Sequence, residues 1–128
     1  MAQLKTGLWV DALIRRAQSH GAFACVLERG DRDAGTVLIV QRQGNEQYLY
    51  TPERNMVGDR VWRRQMHDAE SLNEALTKRR NFDPDIIVVE IEDREGRHFI
   101  EEPVLDDPES QGPSAEPLAE AKALFRDR

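Results

Sequence analysis

The chain has 128 residues, 39% of them apolar, and a formal net charge of −6, which fits one domain with a modest core and excludes two sizeable ones. No apolar run approaches the roughly 18 residues a membrane span needs, and the N-terminus lacks the sustained apolar stretch of a secretory signal. The lone Cys25 cannot build a disulfide framework or a multi-cysteine zinc site, so the expected location is the cytoplasm.

Charge divides the chain. Residues 1–100 hold 15 basic and 16 acidic side chains, whereas 101–128 hold 3 and 8. Of the 15 basic residues in the first part, 13 are arginine; this suits bidentate contacts to anions and follows equally from a compositional bias of the genome.

After an extended lead at Leu4 to Thr6, LWVDALIRRAQSHG sets Val10, Leu13, Ile14 and Ala17 on one helical face. Asp11 comes early, Arg15, Arg16 and His20 late, and Gly21 follows. The spacing predicts an amphipathic helix over 7–20 stopped by glycine. AFACVLERG and TVLIVQR have the content and length of strands, with the turn-like GDRDAG between them, so the two are expected to pair as a hairpin with a loose loop. Gly44-Asn45 marks a tight turn into EQYLYT, where Tyr48 and Tyr50 share one face and Leu49 takes the other.

TPERNMVGD reads as a loop. RVWRRQM predicts a fourth strand, with Trp62, Arg64 and Met66 facing one way and Val61, Arg63 and Gln65 the other. Ser71 followed by Glu74 predicts a capping box that opens a helix over SLNEALTKRR, ending near Asn81. Pro84 blocks its continuation, and IIVVEIE starts a new strand. DREG is a turn, and RHFIEE is expected to return as a short strand. From Glu101 onward EEPVLDDPESQGPSAEP has little to bury and reads as a flexible linker. LAEAKALFRDR closes the chain as a short amphipathic helix carrying Leu118, Leu124 and Phe125.

The segments LKTGLWVDALIRR, GAFACVLERGDRDAGTVLIV, VWRR and FDPDIIVVEIEDREGRHF, in that order, carry a family likeness. Over roughly residues 3–100 the chain resembles the alphaproteobacterial domain-of-unknown-function family 1491. The resemblance implies a compact cytoplasmic α+β domain. It brings no reaction, ligand or catalytic residue, and the segment from Glu101 lies outside it.

FDPDIIVVEIEDREG gathers carboxylates around a β-branched run. Alternation in a strand splits them, with Glu90 and Glu92 on one face and Asp85 and Asp93 on the other. Two carboxylates fall short of a magnesium or manganese site. Glu90, Glu92 and Asp93 are the metal candidates, set against a plainer reading in which Glu90 and Glu92 pair with arginines of an adjacent strand such as Arg63 or Arg64. His20, His67 and His98 lack metal-ligand spacing, and Ser19 and Ser71 sit at helix ends. Cys25 alternates with Phe23 and Leu27 and reads as a small core residue. GDRDAG lacks the phosphate-cradling glycine-lysine pattern, so no cofactor is expected.

One combination remains. Arg60, Trp62, Arg63 and Arg64, with Tyr48 and Tyr50 on a neighbouring strand, form an arginine-aromatic face able to stack bases and contact phosphates. Either the Trp62 indole is exposed beside guanidinium groups or the charges fringe a buried ring, and a nearly neutral body gives no global attraction to nucleic acid.

The expected architecture is therefore α+β: a single domain at 1–100 built on a mainly antiparallel sheet of about five strands with two helices on one face, then an acidic tail at 101–128. The expected function is a non-catalytic binding or regulatory protein that contacts a protein partner or a second copy through Leu118, Leu124 and Phe125, with no membrane partner. Nucleic-acid or anion binding through Arg60, Trp62, Arg63 and Arg64 is the alternative, and a divalent-metal enzyme built on Glu90, Glu92 and Asp93 the third reading.

Overall fold

The computed structural model describes residues 5–107. The elements are α1 (Thr6–Ser19), β1 (Phe23–Glu28), β2 (Val37–Gln43), β3 (Glu46–Arg54), β4 (Arg60–His67), α2 (Ala69–Phe82), β5 (Ile87–Glu92) and β6 (Val104–Asp106). All six strands form one mixed sheet in the order β1-β5-β2-β3-β4-β6. Three neighbouring pairs are antiparallel, while β2/β5 and β4/β6 run parallel. No helix of the described residues is long and apolar enough to cross a membrane.

The meander β2-β3-β4 follows the sequence reading, with Gln43 paired to Glu46 across the Gly44-Asn45 turn. The expected hairpin of β1 with β2 does not form. β5 lies between them, paired on one side through Phe23↔Glu92 and on the other through Val37↔Ile87. Its composition explains the place: Ile87, Val88, Val89 and Ile91 are all buried, the run of a strand covered on both faces. The 29–36 connection consequently straps across the start of β5, where Asp31 N–H bonds the Asp85 carbonyl at 3.0 Å. Gly30 (φ 50°) and Gly35 press their backbones on this segment so closely that a Cβ on either would collide with the carbonyl oxygen of Asp85.

The two helices cover opposite faces of the sheet, not one face. Val10, Leu13 and Ala17 of α1 pack with Ile39, Tyr50, Trp62, Val89 and Ile91. Leu72 of α2, with Ala75 and Leu76, packs on Leu38, Val40, Leu49 and Val88. Burying both faces requires a helix on each, because the central strands are apolar on both sides. The α2 cap also sits three residues earlier than expected. Asp68 is the N-cap and Ser71 the reciprocal partner, with Ser71 N–H to Asp68 Oδ1 at 2.7 Å.

After β5 the chain forms no strand at 97–102. Instead, Phe99 adopts a left-handed conformation (φ 64°) and its carbonyl accepts from Arg16 Nε and Nη2 at 3.1 and 2.8 Å. Ile100 enters the core under α1. The chain then adds β6 beside β4, so residues 104–106 of the acidic segment belong to the sheet.

Candidate functional site

Pro52 shapes a cleft in the described surface. It is read from sequence as loop, yet it lies within β3, opposite Trp62 of β4. The Trp62 N–H bonds outward to the Pro103 carbonyl at 2.9 Å. By antiparallel geometry, the backbone groups of Pro52 therefore point away from β4, towards β2. Proline has no N–H to give there, and the β2/β3 ladder stops at Ile39↔Tyr50. Beyond that pair the strands part and a cleft of about 950 Å³ opens.

Thr6 and Trp9 of α1 wall the cleft on one side. Gly35, Thr36 and Val37 line the β2 edge, and Pro52, Glu53 and Arg54 the β3 edge. Asp59 and Arg60 come from the start of β4, and Arg79 reaches in from α2. Behind the cleft Trp9 stacks on the buried Trp62, with ring centroids 5.5 Å apart and planes 21° from parallel. The Arg60 guanidinium lies 5.6 Å and 5.9 Å from the two ring centroids. Trp62 Nε1–H donates to Glu102 Oε1 at 2.7 Å.

The β3/β4 turn projects from the rim of this cleft. Asn55 Oδ1 accepts from the N–H groups of Val57 (3.1 Å) and Asp59 (2.9 Å), Gly58 N–H bonds the Asn55 carbonyl (3.0 Å), and Arg54 Nη1 donates to the Gly58 carbonyl (3.1 Å). On this fixed tip Met56 is 103% and Val57 80% exposed.

The arginine-aromatic face predicted from sequence is rearranged by this geometry. Trp62 is fully buried, so of the two arrangements open to it the charges fringe a buried ring and no indole is offered as a stacking platform. Tyr50 is buried too, its hydroxyl donating to Gln41 Oε1. Arg63 forms a two-pronged pair with Glu53 at 3.2 and 3.1 Å. Arg64 donates to Asp106 Oδ1 at 2.7 Å and lies 5.0 Å from the Tyr48 ring centroid. Of the four, only Arg60 lines the cleft without an ion pair among the described residues. Leu118, Leu124 and Phe125 lie outside the described residues.

The carboxylates of β5 are divided as alternation demands. Glu90 pairs with Arg42 of β2. Arg63 and Arg64 are beyond its reach, since β5 neighbours β2 and β1 instead of β4. Asp93 is buried at the following turn. Its carboxylate accepts from Arg97 Nε (2.8 Å) and Nη2 (3.0 Å) and from the N–H groups of Arg97 (3.0 Å) and Glu95 (3.2 Å). The Arg97 guanidinium outweighs burial and holds its pKa down at about 2. Glu92 is exposed. Among the described residues no three His, Cys, Asp or Glu side chains converge as a metal site.

Cys25 is half-buried on edge strand β1, not in the core, because its neighbours Phe23 and Leu27 also face outward. Burial and the nearby Glu90 carboxylate push the thiol pKa up, away from thiolate chemistry. The histidines serve three separate sites. His20 Nδ1 lies 2.9 Å from the Arg16 carbonyl and His67 Nδ1 2.9 Å from Ser71 Oγ, while the His98 ring packs 5.4 Å from that of Tyr50. Trp9, Arg54, Arg79 and Glu102 escaped the sequence reading. Pro52 inside an otherwise strand-like EQYLYTPER was the one local sign of a parted ladder.

Comparison with known proteins gives a consistent family and no activity. The model of a protein family of unknown function, DUF1491, matches residues 4–101. A crystal structure of a DUF1491 family protein from Caulobacter crescentus is 42% identical with a TM-score of 0.74, covering 80% of this chain and all of that one. An NMR structure of a DUF1491 family protein from the same organism is 40% identical with a TM-score of 0.73, covering 82% and 99%. The solution structure of protein Atu0922 from A. tumefaciens is 30% identical with a TM-score of 0.68, covering 84% and 98%. Among curated proteins none matches. On the family match and these identities, the chain belongs to the DUF1491 family, whose function is unknown.

Proposed function

We propose that this is a cytoplasmic, non-catalytic binding protein that acts through contact with a protein partner, and that the Met56-Val57 tip is part of its contact surface. One observation carries the reading. Two apolar side chains are held almost wholly in water on a turn whose backbone is fixed by the Asn55 bonds. Exposed apolar groups on a rigid element suit recognition, because little conformational freedom is lost when they are covered.

A photo-crosslinking amino acid at position 57 tests this in cells, with position 45, at the opposite end of β3, as control. A discrete adduct from position 57 alone is expected. No adduct at 57, or the same adducts from both positions, overturns the proposal.

A further inference from the structure

We infer that the cleft where β2 and β3 part holds an extended, carboxylate-bearing segment of a protein partner with apolar residues flanking the acid; this rests on the reading of the neighbouring tip as a contact surface. The net negative charge hides an uneven distribution. Seven arginines of the described chain are ion-paired with carboxylates. Of the six that are not, three (Arg54, Arg60 and Arg79) line this one cleft.

Two of the four acidic residues on the same walls are ion-paired, Glu53 with Arg63 and Asp33 with Lys5 at 3.7 Å. Asp59 has no ion pair among the described residues, and Glu102, bonded to the neutral Trp62 indole, keeps its charge. The three unpaired arginines therefore face two unpaired carboxylates, a surplus of one positive charge. The indole pair also holds the Arg60 guanidinium in place while no side-chain carboxylate among the described residues occupies its N–H edge, an arrangement suited to a two-pronged carboxylate contact.

A carboxylate-bearing peptide fits better than nucleic acid. Trp62 is buried and stacks against one face of Trp9, so Trp62 offers a base no ring face and Trp9 one at most. Asp59 and Glu102 on the walls would repel a chain of successive phosphates, whereas an isolated acid needs only one of the arginines. The apolar surface of Pro52 within the cleft, and Met56 and Val57 beside it, suit apolar flanking residues. The parted ladder turns the Pro52 carbonyl towards the opening, where it can accept a peptide N–H as an added strand does.

The test is an NMR titration of the full chain with an acetylated pentapeptide alternating leucine and glutamate, the same peptide with glutamine for glutamate, and a thymidylate decamer. The glutamate peptide is expected to shift the Trp9 indole N–H and the Arg54 and Arg60 Nε–H resonances. Arg60→Gln and Arg79→Gln, both checked for a native spectrum, are each expected to weaken it about tenfold or more. Equal binding of the glutamine peptide, tighter binding of the decamer, or no shift at millimolar peptide overturns the inference. If it is overturned while position 57 still gives its discrete adduct, the contact reading stands without the acidic ligand.

Discussion

Replacing Asp93 with asparagine separates charge from shape at the turn after β5. The amide keeps an oxygen for the Glu95 and Arg97 N–H groups but loses the charge facing the Arg97 guanidinium and points a donor at it. The carboxyl pKa falls from the ordinary 3.8 to about 2 in the folded chain, and at ~1.36 kcal/mol per pH unit that difference corresponds to roughly 2.5 kcal/mol. The Arg97 side chain is 39% exposed, so solvent screening reduces the expected penalty of Asp93→Asn to about 1–2 kcal/mol at neutral pH. Because the folded pKa is depressed, this contribution is complete well above pH 3.8 and disappears as pH falls towards about 2. Urea unfolding of both proteins across this range should show the difference constant above about pH 5 and roughly halved near pH 3. A penalty below ~0.5 kcal/mol at neutral pH, or one as large near pH 3 as at neutral pH, would refute this account of the turn.

Two further substitutions test how the sheet is tied together. Gly30→Ala is expected to destabilise by at least ~1 kcal/mol more than Gly44→Ala in thermal or urea unfolding. Both glycines have positive φ (50° and 61°), but only at Gly30 would a Cβ meet backbone, so equal penalties would show that the strap does not press on β5. Burial, then the nearby Arg64 charge, push the His98 pKa down, so stability should decline as pH falls below the ordinary histidine range, where the unfolded chain takes up the proton more readily. His98→Asn, which retains an acceptor for the Ile100 N–H, should flatten that decline. An unchanged slope would assign the effect elsewhere, His67 first.

Local chemistry made much of this molecule legible before its structure. The spacing of Val10, Leu13 and Ala17, the Gly44-Asn45 turn and the alternation of Tyr48, Leu49 and Tyr50 each depend on neighbours within a few residues, and each carried through. The failures of strand order share a cause: they concern what lies beside an element. That β5 separates β1 from β2 was signalled by the doubly apolar Ile87 to Val89 run, but adjacency in sequence favoured a hairpin. The same displacement gave Glu90 to Arg42 instead of Arg63 or Arg64. The cleft was less legible still, because Pro52 announces a broken ladder only once its partner strands are known. Arg54, Arg60 and Arg79, scattered over two strands and a helix, share a site only through that break.

The insertion of β5 between β1 and β2 bears on how the chain folds as it is made. Synthesis delivers β1 through β4, and then α2, before the strand that joins β1 to the rest. Until β5 emerges, β2 has only β3 as a neighbour and β1 has none, leaving apolar strand edges open beside the ribosome. Completing the sheet then requires pairing across a long loop, which slows folding relative to a simple meander. The glycine strap at 29–36, resting on the first residues to arrive, closes that slot and couples the N-terminal helix to a strand made near the end of the domain.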